Sequence, residues 1–283
     1  MESKKTAVPN APGSPPPTLK APKNAADCHI HIYDARFKST KPALPYADVA
    51  NYRLLQRRIG VSRVVIVLAR PYGTDNNVTL DAIAQLGIAN ARGIAVLHPT
   101  VSDAELKRLD QGGIRGIRFT LDNPQTAVVS ADMIEPLAKR IAEFGWHVQL
   151  NAPAQKVVEY QDMLRRLPTT IVFDHMGMLP LPAGVKHPAF NVIRSLVEAG
   201  KAWVKVSGAF LNTLVGPPTY ADATEIAKAF VKMAPERMVW GSDWPHPLNP
   251  DDAILFDLLL EWAPDDATRH RILVTNPEAL YGF

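Results

Sequence analysis

The chain has 283 residues, 47% hydrophobic and 21% charged, and a formal net charge of +3. That is ordinary globular composition, enough for one large domain with a substantial core. No apolar run nears the roughly 20 residues that span a bilayer, which excludes a membrane helix. Lys and Arg are scattered rather than massed, so no nucleic-acid partner is expected, and with Cys28 as the only cysteine no internal disulfide can form.

Residues 1–25 stand apart. Met1-Glu2-Ser3-Lys4-Lys5 leads into a stretch holding Pro9, Pro12, Pro15, Pro16, Pro17 and Pro22. Such a segment suits an extended path over the surface rather than a core. It has no apolar centre like that of a signal peptide. A cytoplasmic protein is expected; an exported one whose signal has been removed is the alternative.

From residue 26 the chain repeats a short β-branched run, a polar loop and an amphipathic helix. Strands are expected over residues 26–33, 63–70, 93–98, 116–120, 147–151, 170–175, 203–208 and 237–243. Helices are expected over 46–59, 78–89, 103–111, 131–144, 156–167 and 221–233. Runs such as Val64-Val65-Ile66-Val67-Leu68 suit strands buried on both faces. Strands alternating with helices imply parallel βα units, and eight of them imply an α/β fold, a single (β/α)8 TIM barrel over residues 26–283 behind the Pro-rich extension. An open doubly wound sheet would need a Gly-rich phosphate turn after an early strand. Here that turn reads Tyr33-Asp34-Ala35-Arg36-Phe37, with no glycine.

In a barrel of this kind the site lies at the carboxyl ends of the strands. Strand one offers His29 and His31, on one face because side chains alternate. Two imidazoles aimed into a barrel, where branched aliphatics normally fill the space, point to function. Asp243 ends the last strand between Trp240 and Trp244; a helix cap is its bland role. His175 follows Phe173 and is expected to project inward by the same alternation. Arg118 lies between Ile117 and Phe119, which should face the helices, so it faces the mouth. There it would bind an anion or pair with a loop acid. Arg70, Thr74, Asn151 and His246 complete the candidates at strand ends and loops. Arg70 could equally reach solvent, and His98 beside Pro99 suits a loop turn as well as a site. His147 opens its strand and reads as structural. His187 and His270 receive no role, and Cys28 is expected to face outward as a small packed hydrophobe.

Five motifs together resemble the amidohydrolase superfamily, in its amidohydrolase-2 branch. They are Asp27-Cys28-His29-Ile30-His31, Tyr72-Gly73-Thr74-Asp75-Asn76, Gly113-Ile114-Arg115-Gly116-Ile117-Arg118-Phe119, Phe173-Asp174-His175 and Trp240-Gly241-Ser242-Asp243-Trp244-Pro245-His246. Within that branch the chain looks most like the lactonases that open 2-pyrone-4,6-dicarboxylate, the sulfomuconolactone hydrolases and galactarolactone isomerase. The resemblance implies a hydrolase acting on a lactone, with Asp243 as general base and His29, His31 and His175 polarising the carbonyl. Arg118 would hold a substrate carboxylate, where a planar fork suits bidentate pairing.

Metal-dependent members of the superfamily bind zinc through the His-x-His pair, a strand-five histidine, often a strand-six histidine, and the strand-eight Asp. This chain departs from that pattern, with Arg118 on strand four and Gln149-Leu150-Asn151 ending strand five. A site without cofactor is expected. Were zinc present, His29, His31 and Asp243 would hold it. The isomerase pattern has Asn where Asp243 stands, which favours hydrolysis. The further arginines of the pyrone-dicarboxylate enzymes are missing from Thr120-Leu121-Asp122-Asn123-Pro124-Gln125 and Ser207-Gly208-Ala209-Phe210-Leu211-Asn212. A monoanionic sugar-acid lactone or muconolactone is the expected partner, and a homo-oligomer stays open. Two rivals are a zinc-dependent decarboxylase or hydrolase and a non-catalytic acid-binding barrel.

Overall fold

Runs apolar on both faces become the strands of one parallel sheet. The computed structural model describes residues 15–40, 47–122, 127–248 and 250–283, and these form eight strands paired in sequence order. They are β1 (Ala26–Ile30), β2 (Arg63–Val67), β3 (Ala91–Ala95) and β4 (Ile114–Thr120). β5 (His147–Asn151), β6 (Ile171–Phe173), β7 (Ala202–Val206) and β8 (Met238–Trp240) complete the set. The ring closes where β8 runs on beside β1. Asp243 N–H donates to the His29 carbonyl at 2.8 Å, and His31 N–H donates to the Trp244 carbonyl at 2.7 Å. The architecture is a (β/α)8 barrel, as the alternating pattern predicts. No helix among the described residues is long and apolar enough to cross a membrane.

Helices cover the outer face. The one at Val49–Ile59 starts at Asp48, whose side chain accepts from Asn51 N–H, and stops at Gly60 in the left-handed region. Its buried residues, Val49, Tyr52, Leu55 and Ile59, form one stripe. Tyr52 lies against the ring of Trp244 at 5.5 Å, so this helix buttresses the turn that carries Asp243. The expected helix over 131–144 forms as Ile134–Ile141 with a 3₁₀ turn at each end. The one over 156–167 breaks at Tyr160 into Ala154–Glu159 and Gln161–Arg166. In the Pro-rich segment, Thr18 and Leu19 N–H groups donate to the Asp257 carboxylate at 2.9 and 2.7 Å. Residues 1–14 of that segment, and Tyr46 of the first expected helix, lie outside the described residues.

Inside the barrel Ala26, Cys28, Val65, Val67, Ile94, Val172, Trp203 and Val239 pack with Tyr281, which plugs the amino end. This corrects the orientation expected for Cys28, which faces the barrel interior. The cause is an irregularity in β1: three steps on β1, from Asp27 to Ile30, match two on β2, from Val64 to Ile66. Such a bulge breaks strict alternation, so neighbours Cys28 and His29 both face inward. A second correction concerns how His175 reaches the interior. Phe173 packs outward in the layer shared with the helices, while Val172 is the inward residue of β6. His175 enters from a turn just beyond the strand, at φ 48°, with Met176 at φ 55° following.

Candidate active site

The seam between β1 and the end of β8 is also where the polar groups gather. Asp27, facing the helix side, accepts from His29 N–H at 3.2 Å and Ser242 N–H at 2.9 Å, and from the Ser242 hydroxyl at 2.6 Å. These bonds fix the β1 backbone against the Asp243 turn. Gly241 is required there: a Cβ on it would lie 2.7 Å from His29 Cβ. Burial, outweighing those hydrogen bonds, pushes the Asp27 carboxyl up to about 6.

Asp243 sits at φ 63° with three imidazoles around its carboxylate. Oδ1 is 3.5 Å from His29 Nε2 and 3.4 Å from His31 Nε2, and Oδ2 is 3.9 Å from His175 Nε2. Burial opposes its ionisation, but the facing His175, His31 and His29 rings prevail and hold it below the ordinary carboxylate range. Burial lowers His175 and His29; for His29 the nearby Lys205 adds to the effect. The site is therefore an ionised carboxylate facing His29 and His175, two rings that burial makes harder to protonate.

The second nitrogen of each ring decides what it offers. His31 Nδ1 lies 2.8 Å from the Val67 carbonyl, which can only accept, so Nδ1 carries a proton. His175 Nδ1 meets the Ser207 hydroxyl at 3.0 Å, which can serve either way. Gly208, at φ 69°, makes room for that ring, since a Cβ would lie 2.9 Å from His175 Nδ1.

Beneath the imidazoles lies a charged layer that the strand-end inventory overlooked. Lys205 and Asp174 are both fully buried. Asp174 Oδ2 accepts from Arg118 Nε at 2.9 Å and from Gln149 Nε2 at 3.1 Å, while Gln149 Oε1 accepts from Lys205 Nζ at 2.8 Å. Burial opposes the Asp174 charge, but Arg118 and Lys205 override it and hold this carboxyl well below its usual range. Arg118 thus faces inward, as expected, with Ile117 and Phe119 packed outward. One signal could have found Lys205: in Trp203-Val204-Lys205-Val206 a cation takes an inward position of an apolar strand.

The remaining candidates are spread out. Arg118 and Arg70 line one narrow cleft together with Thr120, Leu68 and Val96. Arg70 Nη2 also donates to both Asp122 oxygens at 2.8 Å. Tyr33, absent from the expected set, lies near Asp243 and Arg118; its phenol is pushed up to about 12, first by burial and then by Asp243. Thr74 is exposed, while Asn76 of the same motif ties its loop to β3 by exchanging hydrogen bonds with Val96 at 3.0 Å. Asn151, half-buried, ends β5 opposite Thr120. His246 stacks on Phe210 at 4.6 Å beyond the Asp243 turn. His98 is exposed and pairs with Thr100. His187 caps the helix at Pro188–Glu198, and burial lowers His147 to about 3 at the amino end.

Residues 26–283 match the family model described as amidohydrolase. The chain belongs to the amidohydrolase family. Its match to 2-pyrone-4,6-dicarboxylate hydrolase of Comamonas testosteroni is 34% identical, covering 94% of this chain and 92% of that one. A 4-sulfomuconolactone hydrolase of Rhizobium radiobacter is 33% identical over 95% and 93% of the two chains. Among solved structures, an apo protein of Agrobacterium tumefaciens superposes with a TM-score of 0.87 at 29% identity, covering 95% of this chain and 98% of that one.

Some amidohydrolase folds hold zinc; one from Burkholderia multivorans with bound zinc shares the fold at 17% identity and a TM-score of 0.67. In this amidohydrolase the donor atoms that lie within 4.8 Å of one another belong to His29, His175 and Asp243. The expected set had His31 in place of His175. A histidine that ligates zinc normally donates its other N–H to an acceptor. His29 Nδ1 has the Lys205 ammonium and Asp174 Oδ1 each at 3.3 Å, and Arg118 adds a second cation near His175. Two cations beside the trio, Lys205 and Arg118, oppose a zinc ion there.

Proposed function

We propose that this enzyme hydrolyses the ring ester of a small carboxylate-bearing lactone without a metal. The observation that carries the reading is Asp243, an ionised carboxylate held among three imidazoles at the closing seam of the barrel. Its relatives named as hydrolases of 2-pyrone-4,6-dicarboxylate and 4-sulfomuconolactone, and one named D-galactarolactone isomerase at 30% identity, support a lactone as substrate class. Asp243 takes a proton from water, and the resulting hydroxide attacks the lactone carbonyl. The ring C–O bond then breaks, and protonated Asp243 returns its proton to the leaving oxygen. His29 and His175 polarise the carbonyl through N–H groups. His31 donates only as an imidazolium, because its Nδ1 proton is engaged by Val67.

Arg118 and Arg70 line the same narrow cleft. Arg118 keeps its terminal nitrogens for a substrate carboxylate while Nε holds Asp174. Asp122 already sits on Arg70, which favours one carboxylate over two. Asp243 in place of Asn favours hydrolysis over isomerisation, and a sugar-acid lactone or muconolactone is the preferred substrate. A pH-indicator screen of sugar-acid, muconolactone and pyrone lactones tests the reading. Acid release from a carboxylate-bearing lactone supports it; tight binding of an acid with no lactone turned over would replace it with the non-catalytic binder.

A further inference from the structure

His29 faces two carboxylates and one cation, and which of its nitrogens carries the proton decides its chemistry. Nδ1 lies 3.3 Å from Lys205 Nζ and 3.3 Å from Asp174 Oδ1. Distance alone does not choose between them. Direction does: the Lys205 contact has hydrogen-bond geometry, whereas the approach of Nδ1 to Asp174 Oδ1 does not. The count of protons agrees. An ammonium has three N–H groups and no lone pair. Around Lys205 Nζ stand Gln149 Oε1 at 2.8 Å, His29 Nδ1 at 3.3 Å and Asp174 Oδ1 at 3.5 Å. A proton on Nδ1 would point at that ammonium. The Gln149 amide locks the arrangement, because its Nε2 donates to Asp174 and leaves only its oxygen for Lys205.

We infer that Lys205 is a positioning residue: by donating to His29 Nδ1 it fixes His29 as the tautomer with its proton on Nε2, aimed at Asp243 and the reacting carbonyl. His29 Nε2 is buried and has no hydrogen-bond partner, which leaves that proton for the substrate. The same contact removes the Nε2 lone pair that a metal would require. Lys205 is closed to solvent and beneath the imidazoles, so it acts through His29 rather than by touching substrate. His31 takes the opposite tautomer, held by the Val67 carbonyl.

The kinetic consequence rests on the lactonase reading, but the tautomer does not, and it can be measured with no substrate. In ¹⁵N-histidine-labelled protein, long-range ¹H–¹⁵N spectra separate protonated from unprotonated ring nitrogens, and the His29→Gln spectrum assigns the signals. The expected result is an unprotonated Nδ1 and a protonated Nε2 for His29. A protonated Nδ1 in the wild-type protein overturns the inference, whatever the enzyme hydrolyses. In Lys205→Met, Asp174 Oδ1 becomes the Nδ1 partner, so the two signals exchange. With a lactone substrate in hand, kcat falls roughly 100- to 1,000-fold, the loss of one oxyanion donor, while KM stays near its wild-type value. An unchanged tautomer in folded Lys205→Met would assign His29's orientation to some other group and overturn the role.

Discussion

The two ends of the barrel treat buried charge in opposite ways. At the amino end the buried cation is closed off locally. Arg92 donates to the carbonyls of Ala91 and Tyr281 at 2.9 and 3.2 Å, and also to those of Ile88 and Gly282. His147 beside it is kept neutral by burial and packs edge-on to Tyr281 at 5.5 Å. At the carboxyl end charged side chains face each other instead: Asp174 against Arg118 and Lys205, Asp243 against three imidazoles. Carbonyls fix a cation without making it reactive. Facing ionisable groups leave protons to move between them. Both ends hold buried arginine and histidine, so residue type alone does not locate a site; the kind of partner does.

That contrast can be broken by mutation. Asp243→Asn keeps the size of the side chain and removes the base, and its kcat is expected to fall by more than the roughly 100- to 1,000-fold typical of losing one oxyanion donor. Near-normal turnover in a folded Asp243→Asn would remove the base assignment. His175→Ala takes away one donor only, so its loss should stay within that range of roughly 100- to 1,000-fold, read as kcat at saturating lactone.

Asp27 gives a test in stability rather than rate. Its carboxyl is raised in the folded state from 3.8 to about 6, so the native protein binds the extra proton between those values. Its contribution to stability is present below about pH 4 and is lost as pH rises to about 6, by about 3 kcal/mol at 1.36 kcal/mol per unit. Asp27→Asn cannot titrate. Its stability relative to wild type, from urea unfolding at pH 4 and pH 7, should therefore rise with pH; a flat difference would contradict the shift.

Gly208→Ala places a Cβ 2.9 Å from His175 Nδ1 at a positive φ of 69°. It should cost roughly 1–3 kcal/mol of stability through backbone strain and lower kcat, with the activity loss smaller than in His175→Ala. The smallest effect on rate belongs to the amino end. Arg92→Met should lower the thermal midpoint yet leave kcat and KM unchanged, and a kinetic defect there would dissolve the distinction between the two ends.

Strand positions were legible because β-branched runs buried on both faces have few other solutions, and β5 at His147–Asn151 matches its expected bounds. His29, His31, His175 and Asp243 were legible as polar groups where aliphatics belong, and all four meet. Less legible was anything set by local irregularity. The β1 bulge turns Cys28 inward, and the left-handed turn after β6 delivers His175 by a route alternation cannot give. Asp174 and Lys205 were missed for a different reason. Each sits beside residues that drew attention, and their partnership exists only once β4, β5, β6 and β7 are side by side.

The most direct test of the account is lactone hydrolysis by protein purified without added metal, followed by pH indicator with and without a chelator. Hydrolysis that survives the chelator, with no bound zinc in stoichiometric amount, is the predicted result. Activity abolished by the chelator and restored by zinc would contradict it, because the cations around His29 would then have failed to keep a metal out.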